Sequence, residues 1–191
     1  MNEKYQNKYR ISSARLQNWD YANEGAYFIT ICTKDRLHHF GKIVNGKIIL
    51  SNIGVIANLM WHEIKNHAIN IELGDFIVMP NHVHGILILN NIADLDPGQA
   101  VQTGHALSLA PTSKSLGQQR FQNQGKNTVS SIIGSYKSAV TKHCNRLGFK
   151  FAWQPLFYDH IIRDERSFQN ISNYIINNPM NWEKDKFIKN E

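Results

Sequence analysis

The chain has 191 residues, of which 42% are hydrophobic and 19% charged, which suits one globular domain with its own core and excludes a chain too polar to fold. Its net charge of +6 favours a polyanionic partner, because clustered Lys and Arg neutralise phosphates and release counterions. Cys32 and Cys144 form neither a metal nor a disulfide pattern and read as small buried hydrophobes. The opening MNEKYQNKYR has no apolar signal segment and no run approaches a membrane span, so a cytoplasmic protein is expected.

Residues 1–20 form a basic arm in which Lys4, Lys8, Arg10 and Arg15 alternate with Tyr5, Tyr9 and Trp19, a mixture that meets phosphates with charge and unpaired bases with rings. A solvated tail with a few anchoring aromatics accounts for it equally well. Residues 21–182 read as one domain, followed by a tail at 183–191. Gly25 to Thr33 is β-branched and aromatic with both faces largely apolar, which predicts a central strand. Gly41 to Leu50 holds two short β runs around Asn45-Gly46, the preferred type I′ hairpin turn. Ser51 caps a helix of about four turns, with Ile53, Ile56, Ala57, Met60, Trp61 and Ile64 on one face. Ile69 to Met79 returns as a strand with a break near Gly74.

Phe76 to Leu89, FIVMPNHVHGILIL, runs through a Pro80-Asn81 turn into a strand that opens with His82 and His84. Alternate residues of a strand share a face, so both imidazoles point the same way about 6.7 Å apart along the strand, a spacing that can hold one metal ion. Val83, Gly85, Leu87 and Leu89 take the other face, while Ile86 and Ile88 extend an apolar floor beneath the histidines. A His-x-His whose rings simply bond nearby backbone is the commoner case, so the triplet needs support from elsewhere in the chain.

From 91 to 127 periodicity vanishes into Gly, Gln, Ser, Asn and Thr, the composition of a long flexible insertion, and His105 within it is given no metal role. Thr128 to Leu147 is helical, with Ile132, Ile133, Tyr136, Ala139 and Val140 on its apolar stripe and Lys137, Lys142 and Arg146 away from it. Tyr136 reads as core, and the three basic residues as exposed contacts for nucleic acid. After the irregular Trp153-Gln154-Pro155 comes a strand, Phe157 to Ile162. Asp164 caps a last helix that Pro179 stops after Asn178. On that helix Phe168, Ile171 and Ile175 form the buried stripe, whereas Tyr174 sits at its edge among Ser167, Asn170 and Asn178. Tyr174 and Asn178 are one turn apart on one face and present a hydroxyl and an amide oxygen. The element order predicts an α+β fold: a ferredoxin-like βαββαβ sandwich with an antiparallel sheet, an inserted hairpin and an extra C-terminal helix.

Three segments in this order resemble the single-tyrosine HUH transposases, and within them the REP-associated tyrosine transposase type. They are Met79-Pro80-Asn81-His82-Val83-His84-Gly85, Trp153-Gln154-Pro155 with Asp159-His160, and Tyr174-Ile175-Ile176-Asn177-Asn178-Pro179. The resemblance runs from about Arg10 to Trp182, interrupted by the polar insertion. It implies that His82 and His84 are metal ligands, that Tyr174 is the nucleophile, and that Asn178 stands where related transposases place a Gln as third ligand. Asn is one methylene shorter, and His160 or water are the alternatives for that position. The implied activity is cleavage and rejoining of single-stranded or hairpin DNA through a 5′-phosphotyrosine, with Mg²⁺ or Mn²⁺ as cofactor and a homodimer among the candidate assemblies. Imidazole also accepts zinc. Two other readings compete: a zinc hydrolase using His82, His84 and His160, and a hairpin-DNA-binding protein without activity.

Overall fold

The computed structural model describes residues 23–90 and 128–184. The basic arm with Lys4, Lys8, Arg10 and Arg15, the 91–127 insertion with His105, and the last residues of the tail lie outside the described residues. The elements in chain order are strand β1 (Gly25–Cys32), hairpin strands β2 (Gly41–Val44) and β3 (Lys47–Leu50), and helices α1 (Asn52–His62) and α2 (Ile64–His67). Then come β4 (Ile71–Val78), β5 (His82–Leu89), α3 (Val129–Arg146), β6 (Tyr158–Ile162) and α4 (Glu165–Asn177).

The four long-range strands pair antiparallel in the order β4-β5-β1-β6, with the first and third strands of a βαββαβ unit at the centre, as the ferredoxin-like reading requires. β2 and β3 form a separate two-stranded ribbon. Its turn residues Asn45 and Gly46 both have positive φ, 51° and 69°, the requirement of a type I′ turn. The break expected near Gly74 is a bulge, because the pairing of β4 with β5 slips by one residue between Leu73 and Phe76.

Side-chain alternation divides the sheet into two faces. Tyr27, Ile29 and Ile31 of β1 share one face with Val83, Leu87 and Leu89 of β5. They pack with Ala57 and Trp61 of α1 and with Ile133, Tyr136 and Val140 of α3 into the main core. The other face carries Ile86 and Ile162, on which Ile175 of α4 is buried, with Phe28, Ile88, Phe168 and Ile171 around them. The extra C-terminal helix therefore covers the face that the other two long helices leave open.

Caps set the helix starts. Ser51 Oγ accepts from Gly54 N–H at 3.1 Å, Thr128 Oγ1 from Ser131 N–H at 3.2 Å, and Asp164 Oδ1 from Ser167 N–H at 2.8 Å. Two helix ends differ from expectation. The first helix does not run unbroken through Ile64: it ends at His62, and α2 begins at Ile64, which lets the buried Ile64 and Trp61 both face the core. Pro179 ends the α-helical hydrogen bonding but not the coil, which tightens into a 3₁₀ segment over Asn178–Lys184. Among the described residues no helix is long and apolar enough to cross a membrane.

Gly85 explains its own place in the histidine strand. A Cβ there would overlap the indole of Trp61, which lies flat on Phe76 with ring centroids 4.6 Å apart. Gly85→Ala is expected to destabilise the fold by about 1–3 kcal/mol through overpacking, measured by urea unfolding. A change below about 0.5 kcal/mol, the range of ordinary surface substitutions, would contradict this packing.

Candidate metal centre and nucleophile

His82 and His84 enter the sheet immediately after the turn that joins β4 to β5, and they project onto the face covered by α4. Their ring centroids are 4.4 Å apart, and both side chains are completely enclosed. The turn is tied down by backbone: Met79 N–H donates to His82 O at 2.8 Å, and Thr33 N–H and Oγ1 both donate to Asn81 O, at 2.9 and 3.0 Å. His82 Nδ1 lies 2.8 Å from Asn81 Oδ1. Burial first, then the charges of His84 and Arg36, holds the His82 imidazole well below its ordinary pKa. The ring is therefore neutral at neutral pH, the form that ligates a cation.

Thr30 stands opposite His84 in the β1–β5 register and places Oγ1 2.9 Å from His84 Nδ1. The second nitrogen of that ring, Nε2, is 3.2 Å from the hydroxyl of Tyr174. Phe28 stacks on His84 at 5.2 Å between centroids and meets Tyr174 edge-on at 6.1 Å, which seats both rings. Tyr174 is 41% exposed, so its ring borders solvent while its hydroxyl reaches the histidine pair.

One turn further, Asn178 is buried, and its Oδ1 has no hydrogen-bond partner among the described residues. A buried amide oxygen left unpaired costs free energy, and a cation is one group that would satisfy it. Two imidazoles and an amide oxygen match the donor set of a borderline or hard divalent ion. His160 is on the same sheet face, opposite Phe28, but it is exposed. Among the described residues no group of three or more His, Cys, Asp or Glu comes together to hold a metal, so His160 does not join the pair. Its neighbour Asp159, opposite Ile29, is buried on the other face.

The two candidate tyrosines part sharply. Tyr136 is 2% exposed, donates its hydroxyl to Ala57 O at 3.1 Å, and burial pushes its phenol far above the ordinary value. It is a core residue.

The basic residues of α3 divide as well. Lys142 and Arg146 are exposed, on a helix packed against the opposite face of the sheet from the histidines. Lys137 corrects the expectation of an exposed phosphate contact. It is half-buried, its ammonium donates to Gln154 O and Leu156 O at 2.9 Å each, and desolvation lowers its pKa. The lysine clamps the Trp153-Gln154-Pro155 segment to α3, with Trp153 Nε1 returning a bond to Lys137 O at 3.1 Å.

Sequence reasoning missed the enclosing residues. Trp182 stacks on His82 at 6.1 Å and is met edge-on by His38 at 5.6 Å. The spacing 174, 178, 182 was a signal for Trp182, hidden by ending the helix at Pro179. Asn81 stands within the Met79–Gly85 motif and Thr30 within the first strand, but nothing local marks either of them, or Arg36, as a neighbour of the histidine rings.

No protein-family model matches the sequence. A Haemophilus influenzae protein described as uncharacterised is 35% identical over 175 residues, covering 91% of each chain. The chain belongs to the same family as that protein. Among solved structures, a REP-associated tyrosine transposase bound to a REP hairpin superposes with a TM-score of 0.55 and 19% identity, covering 91% of this chain and 76% of that one. At that identity the likeness is one of fold.

His82→Ala and His84→Ala are each expected to lose Mn²⁺ binding in calorimetric titration while keeping the wild-type far-ultraviolet circular dichroism. Wild-type affinity in both variants would remove the metal assignment.

Proposed function

We propose that the chain is a divalent-metal-dependent tyrosine transposase that cleaves and rejoins single-stranded or hairpin DNA through a 5′-phosphotyrosine. The observation that carries this reading is the Tyr174 hydroxyl 3.2 Å from His84 Nε2, on a side chain open to solvent and one turn from the orphaned Oδ1 of Asn178. The solved transposase with a similar fold is described as bound to a hairpin, and the net charge of +6 suits the same kind of polyanion.

His82, His84 and Asn178 would hold the cation, Mg²⁺ or Mn²⁺. When bound, it supplies positive charge that polarises the phosphodiester and stabilises the leaving oxygen. The protein's own groups do the rest. Tyr174 Oη attacks phosphorus, the bond from phosphorus to the 3′ oxygen breaks, and the phenolic proton is balanced by the proton taken up on the released 3′-hydroxyl. The 5′ end stays on Tyr174 as a phosphodiester of equal bond order. Attack by a 3′-hydroxyl on this linkage reverses the step and frees the tyrosine, so no nucleotide hydrolysis is required. Phe28, Ile171 and Ile175 fix the ring and helix so that the attacking oxygen is held beside the metal ligands.

Lys142, Arg146 and the basic arm are the candidate phosphate contacts within this reading. A zinc hydrolase built on His82, His84 and His160 gains no support, since His160 stands apart from the pair.

Tyr174→Phe keeps the ring and removes the hydroxyl. It is expected to bind Mn²⁺ and hairpin DNA but to form no covalent adduct on a denaturing gel, whereas Tyr136→Phe, changed on the far face, still forms one. Continued strand cleavage by Tyr174→Phe would point to activated water and contradict the assignment.

A further inference from the structure

Asn81 is completely buried between the His82 ring and the backbone of Arg36. The orientation of its amide follows from its partners. A peptide carbonyl only accepts hydrogen bonds, so the Asn81 atom 3.2 Å from Arg36 O is Nδ2, and the atom 2.8 Å from His82 Nδ1 is Oδ1. An amide oxygen also only accepts, so His82 Nδ1 must carry the hydrogen. A neutral imidazole has one N–H, and Nε2 is thereby left with its lone pair.

The amide is held from both ends. Arg36 has a left-handed backbone with φ 55°, which few non-glycine residues adopt, and this directs its carbonyl to Asn81 Nδ2. Asn81's own carbonyl accepts two bonds from Thr33. Turning the Asn81 amide over would set Oδ1 against Arg36 O, two acceptors facing each other, and turning the His82 ring over would carry Nδ1 away from Oδ1, while the Thr33 bonds hold the Asn81 backbone in place.

We propose that Asn81 is a positioning residue for the divalent cation: by accepting the Nδ1 hydrogen of His82 it fixes ring plane and tautomer and makes Nε2 the ligating atom. Partners of this kind raise ligand basicity and hold metal affinity at distances where they never touch the ion. The proposal rests on the reading of His82 and His84 as metal ligands.

Nitrogen-15 NMR of the metal-free wild-type protein reads the tautomer directly, and Mn²⁺ titration of Asn81→Ala and Asn81→Asp reads the consequence. The expected result is a protonated Nδ1 and a bare Nε2 in wild type, an affinity about 10- to 100-fold lower in Asn81→Ala, and a retained affinity in Asn81→Asp. Asp keeps the acceptor facing His82 while losing the bond to Arg36 O. Were Asn81 only an anchor for the Arg36 loop, both variants would lose the same bond and their Mn²⁺ affinities would move together; that result overturns the proposal. So does a hydrogen on Nε2 in wild type, which decides the matter even if Asn81→Ala does not fold. Mn²⁺ bound equally by wild type and Asn81→Ala overturns the role of Asn81 alone. A wild-type protein that binds no Mn²⁺ overturns the metal reading as well.

Discussion

A β-strand turns successive side chains to opposite faces, and the structure depends on how β5 uses that alternation. Val83, Gly85 and Leu87 point into the main core, where the missing side chain of Gly85 admits the Trp61 indole. His82 and His84, interleaved with them, are thereby delivered to the other face, buried and side by side. A one-residue slip would exchange the two sets, placing imidazoles against Trp61 and apolar groups under α4. The β1–β5 register opposes that slip, since it sets Thr30 opposite His84 on the site face and Ile31 and Tyr27 opposite Val83 and Leu87 on the core face.

Covering the second face is the work of α4, and it separates the two tyrosines chemically. Ile175, Ile171 and Phe168 anchor the helix on Ile86 and Ile162, which leaves Tyr174 at the edge of the contact with its hydroxyl against His84. Tyr136 faces the middle of a helix–sheet interface and has its hydrogen bond satisfied by a backbone carbonyl. One phenol thus lies against the histidine pair on a ring that borders solvent, and the other is sealed in the core. The polypeptide that supplies the histidines also supplies the tyrosine beside them.

Much of the fold was legible because its signals are local. The Asn45-Gly46 turn, the caps at Ser51, Thr128 and Asp164, and the apolar stripe of α3 each sit within a few residues of the structure they specify. The shared face of His82 and His84 follows from the same alternation, as does the edge position of Tyr174 from the helical period. What escaped depends on contacts between distant segments. Asn81 meets Arg36 across 45 positions, Trp182 folds back onto His82 only because the coil continues past Pro179, and Lys137 is drawn out of solvent by carbonyls 17 and 19 residues on. Spacing showed that Lys137 lies off the apolar stripe; it could not show that another segment would pass over it.

The central claim is that the oxygen positioned beside the histidine pair is the one that becomes bonded to DNA. Peptide mapping by mass spectrometry of the unaltered protein, after incubation with single-stranded hairpin DNA and Mn²⁺ followed by nuclease digestion, tests it at the level of a single atom's owner. The account predicts a nucleotide mass on the peptide containing Tyr174 and on no other. A nucleotide on Tyr136 or on any other residue, or DNA cut with no covalent adduct at all, would contradict it.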